Sequence, residues 1–165
     1  MWADVPFALT FYVVAAILLV SSLAVVLLPN VIHSALSLAL SFLAVAAIFV
    51  LLNAEFVAFV QILIYAGAVM VLLLFAVMLT RHSGSPLSNL PNMQAKWAAV
   101  VAGLVFVGLA GSFVGTSWPV QAQALPADIT ALLGQLIFGK YVLAFEAASL
   151  LLLAAMVGAI VIARE

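Results

Sequence analysis

Five stretches of this chain, at about 7–28, 31–52, 55–80, 97–114 and 141–163, run for roughly twenty residues with almost no charged side chain. An α-helix of that length rises about 30 Å, the thickness of a bilayer's hydrocarbon core. Inside lipid every backbone N–H and C=O needs an internal partner, and a helix supplies one. Nine charged groups, Lys+Arg 4 and Asp+Glu 5, could not cover a water-soluble fold of 165 residues that is 70% hydrophobic. The expected fold class is therefore an all-α integral membrane protein of about five transmembrane helices, a single membrane domain over 1–165.

The connections differ in length. Pro29-Asn30 separates the first two runs, and Asn53-Ala54 separates the second from the third. Links this short force neighbouring antiparallel helices, so the first three should form a compact hairpin series. The stretch 81–96 contains Gly84, Pro86 and Asn92 and reads as a solvent loop. The stretch 115–140, with Pro119, Pro126, Asp128 and Lys140, reads as a longer extramembrane loop, with a short interfacial helix expected at 129–138. The N-terminal Met1-Trp2-Ala3-Asp4 carries no Lys or Arg, and no small-residue cleavage pattern follows the first run, which reads as a retained helix. Arg81, Lys96 and Arg164 fall on one side of a five-helix topology and Lys140 on the other, which favours an outside N-terminus and a cytoplasmic C-terminus.

Composition excludes several activities. A chain with no basic excess has no surface for phosphate backbones, so nucleic-acid binding is not expected. With Cys 0 there are no thiolates for disulfides or iron–sulfur ligation. His33 and His82 lack a nearby carboxylate, so no metal site is expected in this chain. The glycine-rich stretch 103–115 lies inside a hydrophobic run, not between a strand and a helix, and is no nucleotide loop.

Two acids lie at or within apolar runs. Glu55 begins the third and Glu146 enters the fifth. A carboxylate in hydrocarbon is costly and seeks a bundle interior, a wet cavity or a partner. Desolvation raises its pKa and suits it to carry a proton. Either role, headgroup-depth marker or proton-path group, fits both acids. The most unusual segment is Gln61-Ile62-Leu63-Ile64-Tyr65-Ala66-Gly67-Ala68. Gln61 and Tyr65 are four apart and share a helix face, and an amide and a phenol at membrane depth want partners or water. The following Ala66, Gly67 and Ala68 permit close backbone approach, and Gly67 weakens the helix enough for a bend or π-bulge. A tight crossing and a water-lined switch are both consistent with this pattern. Small residues also recur four apart at Ser37 and Ser41, Gly108 and Ser112, Gly111 and Gly115, and Ala154 and Gly158, as helix-association faces do.

The run Asn53-Ala54-Glu55-Phe56-Val57-Ala58-Phe59-Val60-Gln61-Ile62-Leu63-Ile64-Tyr65-Ala66-Gly67-Ala68-Val69-Met70-Val71-Leu72 resembles subunit J of respiratory complex I, the bacterial proton-pumping NADH–quinone oxidoreductase, whose mitochondrial equivalent is ND subunit six. Pro29-Asn30-Val31-Ile32-His33-Ser34-Ala35-Leu36 is similar to that family's start of helix two. Phe145-Glu146-Ala147-Ala148-Ser149 and Met156-Val157-Gly158-Ala159-Ile160-Val161 are similar to its last helix. The resemblance is strong over helices two, three and five and weak elsewhere. It implies a multi-pass subunit of a bacterial plasma membrane, beside the quinone-site subunit and other membrane-arm subunits of the A, H, K and N types. It implies a π-bulge at Tyr65-Ala66-Gly67 whose conversion to α opens and closes a water path. Tyr65 would then be a gate residue, Gly67 the flexible point, and Gln61, Glu55 and Glu146 supporting polar groups. It also implies that NADH, FMN, iron–sulfur clusters and quinone belong to other chains of the complex, with no cofactor and no redox chemistry in this one. Related sodium–proton antiporter and membrane-bound hydrogenase complexes contain similar modules, and a purely structural assembly subunit is a further alternative.

Overall fold

The computed structural model describes residues 4–80, 94–117 and 128–164. It divides into two compact units, Met1–Ala122 and Gln123–Glu165. The first unit holds α1 (Asp4–Leu27), α2 (Val31–Leu51), α3 (Glu55–Leu79) and α4 (Ala95–Gly115); the second holds α5 (Ile129–Phe138) and α6 (Val142–Ala163). No strand occurs among the described residues. All of these except α5 are long and apolar enough to cross a membrane.

Local chemistry sets the helix ends. Pro29 cannot continue α1, and Asn30 caps α2 by accepting the Ile32 N–H at 3.0 Å through its side-chain oxygen. At the far end of α2, Asn53 takes the left-handed conformation, φ 57°, that asparagine tolerates better than most residues. The Asn53 N–H then donates to the Val50 carbonyl at 3.0 Å and the Ala54 N–H to the Phe49 carbonyl at 2.9 Å. These bonds satisfy the terminal carbonyls and turn the chain back within three residues.

The core of the first unit is built from small side chains. α1 packs along α2, and α2 packs along the whole of α3. Ala35, Ser41, Ala44 and Ala46 of α2 are buried, with Ser21 of α1 and Ala58 and Met70 of α3. Both buried hydroxyls are satisfied within their own helices: Ser21 Oγ donates to the Leu18 carbonyl at 3.1 Å and Ser41 Oγ to the Leu38 carbonyl at 2.9 Å. Lipid tails are as apolar as leucine, so helices associate there through close van der Waals approach, which alanine and serine permit.

Several expected boundaries move. α1 begins at Asp4 instead of residue 7, and α4 begins at Ala95 instead of 97. Lys96 therefore lies in the first turn of a helix, not in the loop expected over 81–96. Lysine is a good helix former whose long stem can carry its charge toward water. The loop expected over 115–140 contains α5, at the bounds foreseen for a short helix. Asp128 caps it by accepting the Ala131 N–H at 2.9 Å. Residues 1–3, 81–93 and 118–127, which include Arg81, His82, Pro119 and Pro126, lie outside the described residues.

In the second unit the chain passes from α5 to α6 at Gly139. A β-carbon there would sit 2.6 Å from the Gln135 carbonyl oxygen, so only glycine fits. Phe138 and Phe145 close the corner edge to face, ring centroids 5.0 Å apart.

Candidate functional site in the third helix

α3 is not uniform. It is α-helical over Glu55–Val60, π-helical over Gln61–Val69 and α-helical again over Met70–Leu79. A π-helix closes its N–H to carbonyl bonds over five residues instead of four, which widens the turn; the Met70 N–H, closing the stretch, contacts the Tyr65 carbonyl. Tyr65 stands at its centre and Gly67 two residues later.

Burial shows why the wide turn is there. Ala58 on one side is 3% exposed and Met70 on the other 1%, the buried residues of the two α-helical flanks, and both flanks pack on α2. Twelve residues of unbroken α-helix would leave these two side chains about 120° apart around the axis, at about 100° per residue. If the wide turn absorbs one residue's rotation, the offset falls to about 20° and both meet the same neighbour. The inward side then steps from Gln61 to Ala66, five residues, while Ile62, Leu63, Ile64 and Tyr65 are all exposed.

Gly67 suits this geometry. A β-carbon there would lie 3.3 Å from the carbonyl oxygen of Ile62, five residues back, close enough that something must give by a few tenths of an ångström. Tyr65 is 47% exposed, its ring beside that of Phe42 of α2, centroids 5.6 Å apart and planes at 60°. Gln61 is half-buried. No hydrogen bond joins Gln61 and Tyr65 among the described residues, so their four-residue spacing does not produce a pair.

The acids lie elsewhere. Glu55 is exposed in the first turn of α3, where the positive end of the helix dipole favours a carboxylate. Glu146 belongs to the second unit, exposed on the second turn of α6, where its backbone carbonyl accepts the Ser149 hydroxyl at 2.7 Å. The structure thus collects Glu55, Gln61, Tyr65 and Gly67 on one helix and leaves Glu146 on another element.

Phe42, Ala58 and Met70 were not among the residues expected from sequence. One signal could have found Phe42. It lies eleven residues before Asn53, and Tyr65 lies eleven after Ala54, so a tight antiparallel hairpin brings them to equal depth.

The chain has no cysteine, the usual ligand of an iron–sulfur cluster.

The family described as NADH-ubiquinone/plastoquinone oxidoreductase chain 6 matches residues 21–162. The chain is similar to NAD(P)H-quinone oxidoreductase subunit 6 of the organellar chromatophore of Paulinella chromatophora, 43% identical over 159 residues that cover 94% of this chain and 77% of the relative. Chain 6 of the same enzyme from Leptolyngbya boryana is 42% identical, covering 94% and 79%. Its counterpart in Synechocystis is 39% identical, covering 95% and 80%.

Proposed function

The chain belongs to the NADH-ubiquinone/plastoquinone oxidoreductase chain 6 family, and on that premise we propose that it is a membrane-arm subunit that couples quinone reduction to proton translocation through the π-helical part of α3. The observation that carries this reading is the nine-residue π stretch Gln61–Val69 inside a membrane-spanning helix, flanked by two buried anchors. Such stretches are rare and concentrate at functional sites.

The chemistry is conformational. Conversion of the stretch from π to α would release one residue's turn and rotate one part of α3 against the other by about 100°. Either Met70 or Ala58 would then leave its contact with α2, while Tyr65 and Gln61 would change the side to which they offer a hydroxyl and an amide. A phenol and an amide can hold a short file of water, and a helix that turns them toward or away from a neighbour makes or breaks that file. Gly67 is the point at which the change costs least. Glu55, in the first turn of α3, and Glu146, on the second turn of α6, supply carboxylates as proton-path or supporting groups.

In this reading the chain itself is non-catalytic. NADH, flavin, iron–sulfur clusters and quinone are held by other subunits, and this chain meets partners of the A, H, K and N types. Its membrane is the bacterial plasma membrane, with the N-terminus outside and the C-terminus in the cytoplasm.

The test is Gly67→Val in the assembled complex, with quinone reduction and proton pumping measured on the same preparation. The branched side chain crowds the Ile62 carbonyl, so pumping per electron should fall severalfold while the complex still assembles. Unimpaired pumping would remove the joint from the mechanism. Loss of assembly alone would leave an assembly subunit.

A further inference from the structure

We infer that Phe42 is a positioning residue for the third helix: its ring, packed against Tyr65, holds 61–69 in the π form. This rests on the proposed role of α3 and extends it to a residue on a different helix.

The π stretch needs something besides its anchors to fix it. Ala58 and Met70 demand that the rotation between them be absorbed, but they do not say where within the intervening residues it happens. The Phe42 ring marks the place. Tyr65 is the central residue of Gln61–Val69, and its ring meets Phe42 with centroids 5.6 Å apart and planes inclined by 60°, within the range of favourable aromatic pairs. Phe42 projects from α2, the most buried of the spans and one tied to α3 by the three-residue turn at Asn53. It is itself half-buried and follows the buried Ser41 in the chain.

Tyr65 is otherwise open, 47% exposed, and Phe42 is an aromatic contact of its ring among the described residues. Rewinding the stretch to α would turn Tyr65 about the helix axis relative to at least one flank by a large fraction of the 100° that a residue spans. At the end of a tyrosine side chain this displacement carries the ring out of contact with Phe42. The ring pair therefore favours the π form over the α form.

The test is hydrogen–deuterium exchange of the full-length protein in its native membrane complex, resolved along α3. Phe42→Ala should raise the opening of 61–69 by about two- to tenfold, the fold-change an aromatic pair is worth. Phe42→Leu, which keeps bulk but no ring, should do nearly the same, and Phe42→Tyr should leave exchange as it is. In the double variant Phe42→Ala with Tyr65→Ala the effect should be no larger than with Tyr65→Ala alone. Unchanged exchange in 61–69, a change spread evenly over all of α3, or additive effects in the double variant would overturn the assignment. Exchange does not depend on pumping: normal pumping in Gly67→Val together with a loosened stretch in Phe42→Ala would sink the coupling role and leave this one standing.

Discussion

α4 has four glycines, Gly103, Gly108, Gly111 and Gly115, and is α-helical from end to end; α3 has one, Gly67, and is π-helical over nine residues. Glycine therefore does not by itself make a helix wind wide. The two spans differ in what holds them. Among the described residues of α4 none is buried, and a β-carbon on any of its glycines would meet nothing within 4 Å. α3 is pinned to α2 on both sides of its irregular stretch, by anchors that an unbroken helix would point in different directions. The anchors set the demand for an extra residue, and Gly67 lowers the cost of meeting it.

The largest effect that bears on this contrast comes from an anchor. Met70→Ala should cost about 2–5 kcal/mol of stability, since it empties a buried site. Leu109→Ala on α4, whose side chain is 58% exposed, should cost less than about 0.5 kcal/mol. Denaturant titration of the reconstituted protein measures both, and equal costs would remove the distinction between the helices. Next in size is the turn that ties α3 to α2. Asn53→Val forces a β-branched residue to φ 57° and should cost about 1–2 kcal/mol, whereas Asn53→Gly should be close to neutral. The smallest is a matched pair of glycine substitutions. Gly103→Ala should stabilise α4 by up to about 1 kcal/mol, because alanine is the better helix former and space is open. Gly67→Ala should gain less or lose, because its β-carbon meets the Ile62 carbonyl oxygen at 3.3 Å. The same gain at both sites would make the crowding irrelevant.

Much of the fold was legible because lipid imposes coarse rules. Length and apolarity mark the spans, and Pro29-Asn30 and Asn53-Ala54 leave the first three helices no room to separate. Gly67 pointed to a soft place in α3, but not to the extent of the π stretch or its cause. Ile62, Leu63, Ile64 and Tyr65 suit a lipid-facing side as well as a buried one, so the five-residue step in burial from Gln61 to Ala66 leaves no trace in polarity. In a soluble protein a run of polar residues would have exposed it. Met70 is hidden for the same reason, one apolar residue among many. Gln61 and Tyr65 were paired by α-helical spacing, which does not apply where the helix is π.

The central claim is that the extra residue in α3 is functional, not merely tolerated, and deleting Leu63 tests it most directly. Leu63 is 69% exposed and lies in the outward run of the wide turn, so its loss should let 55–79 wind as α while Ala58 and Met70 stay against α2. The account predicts a complex that assembles and reduces quinone but pumps few or no protons per electron. Full pumping from a straightened third helix would contradict it.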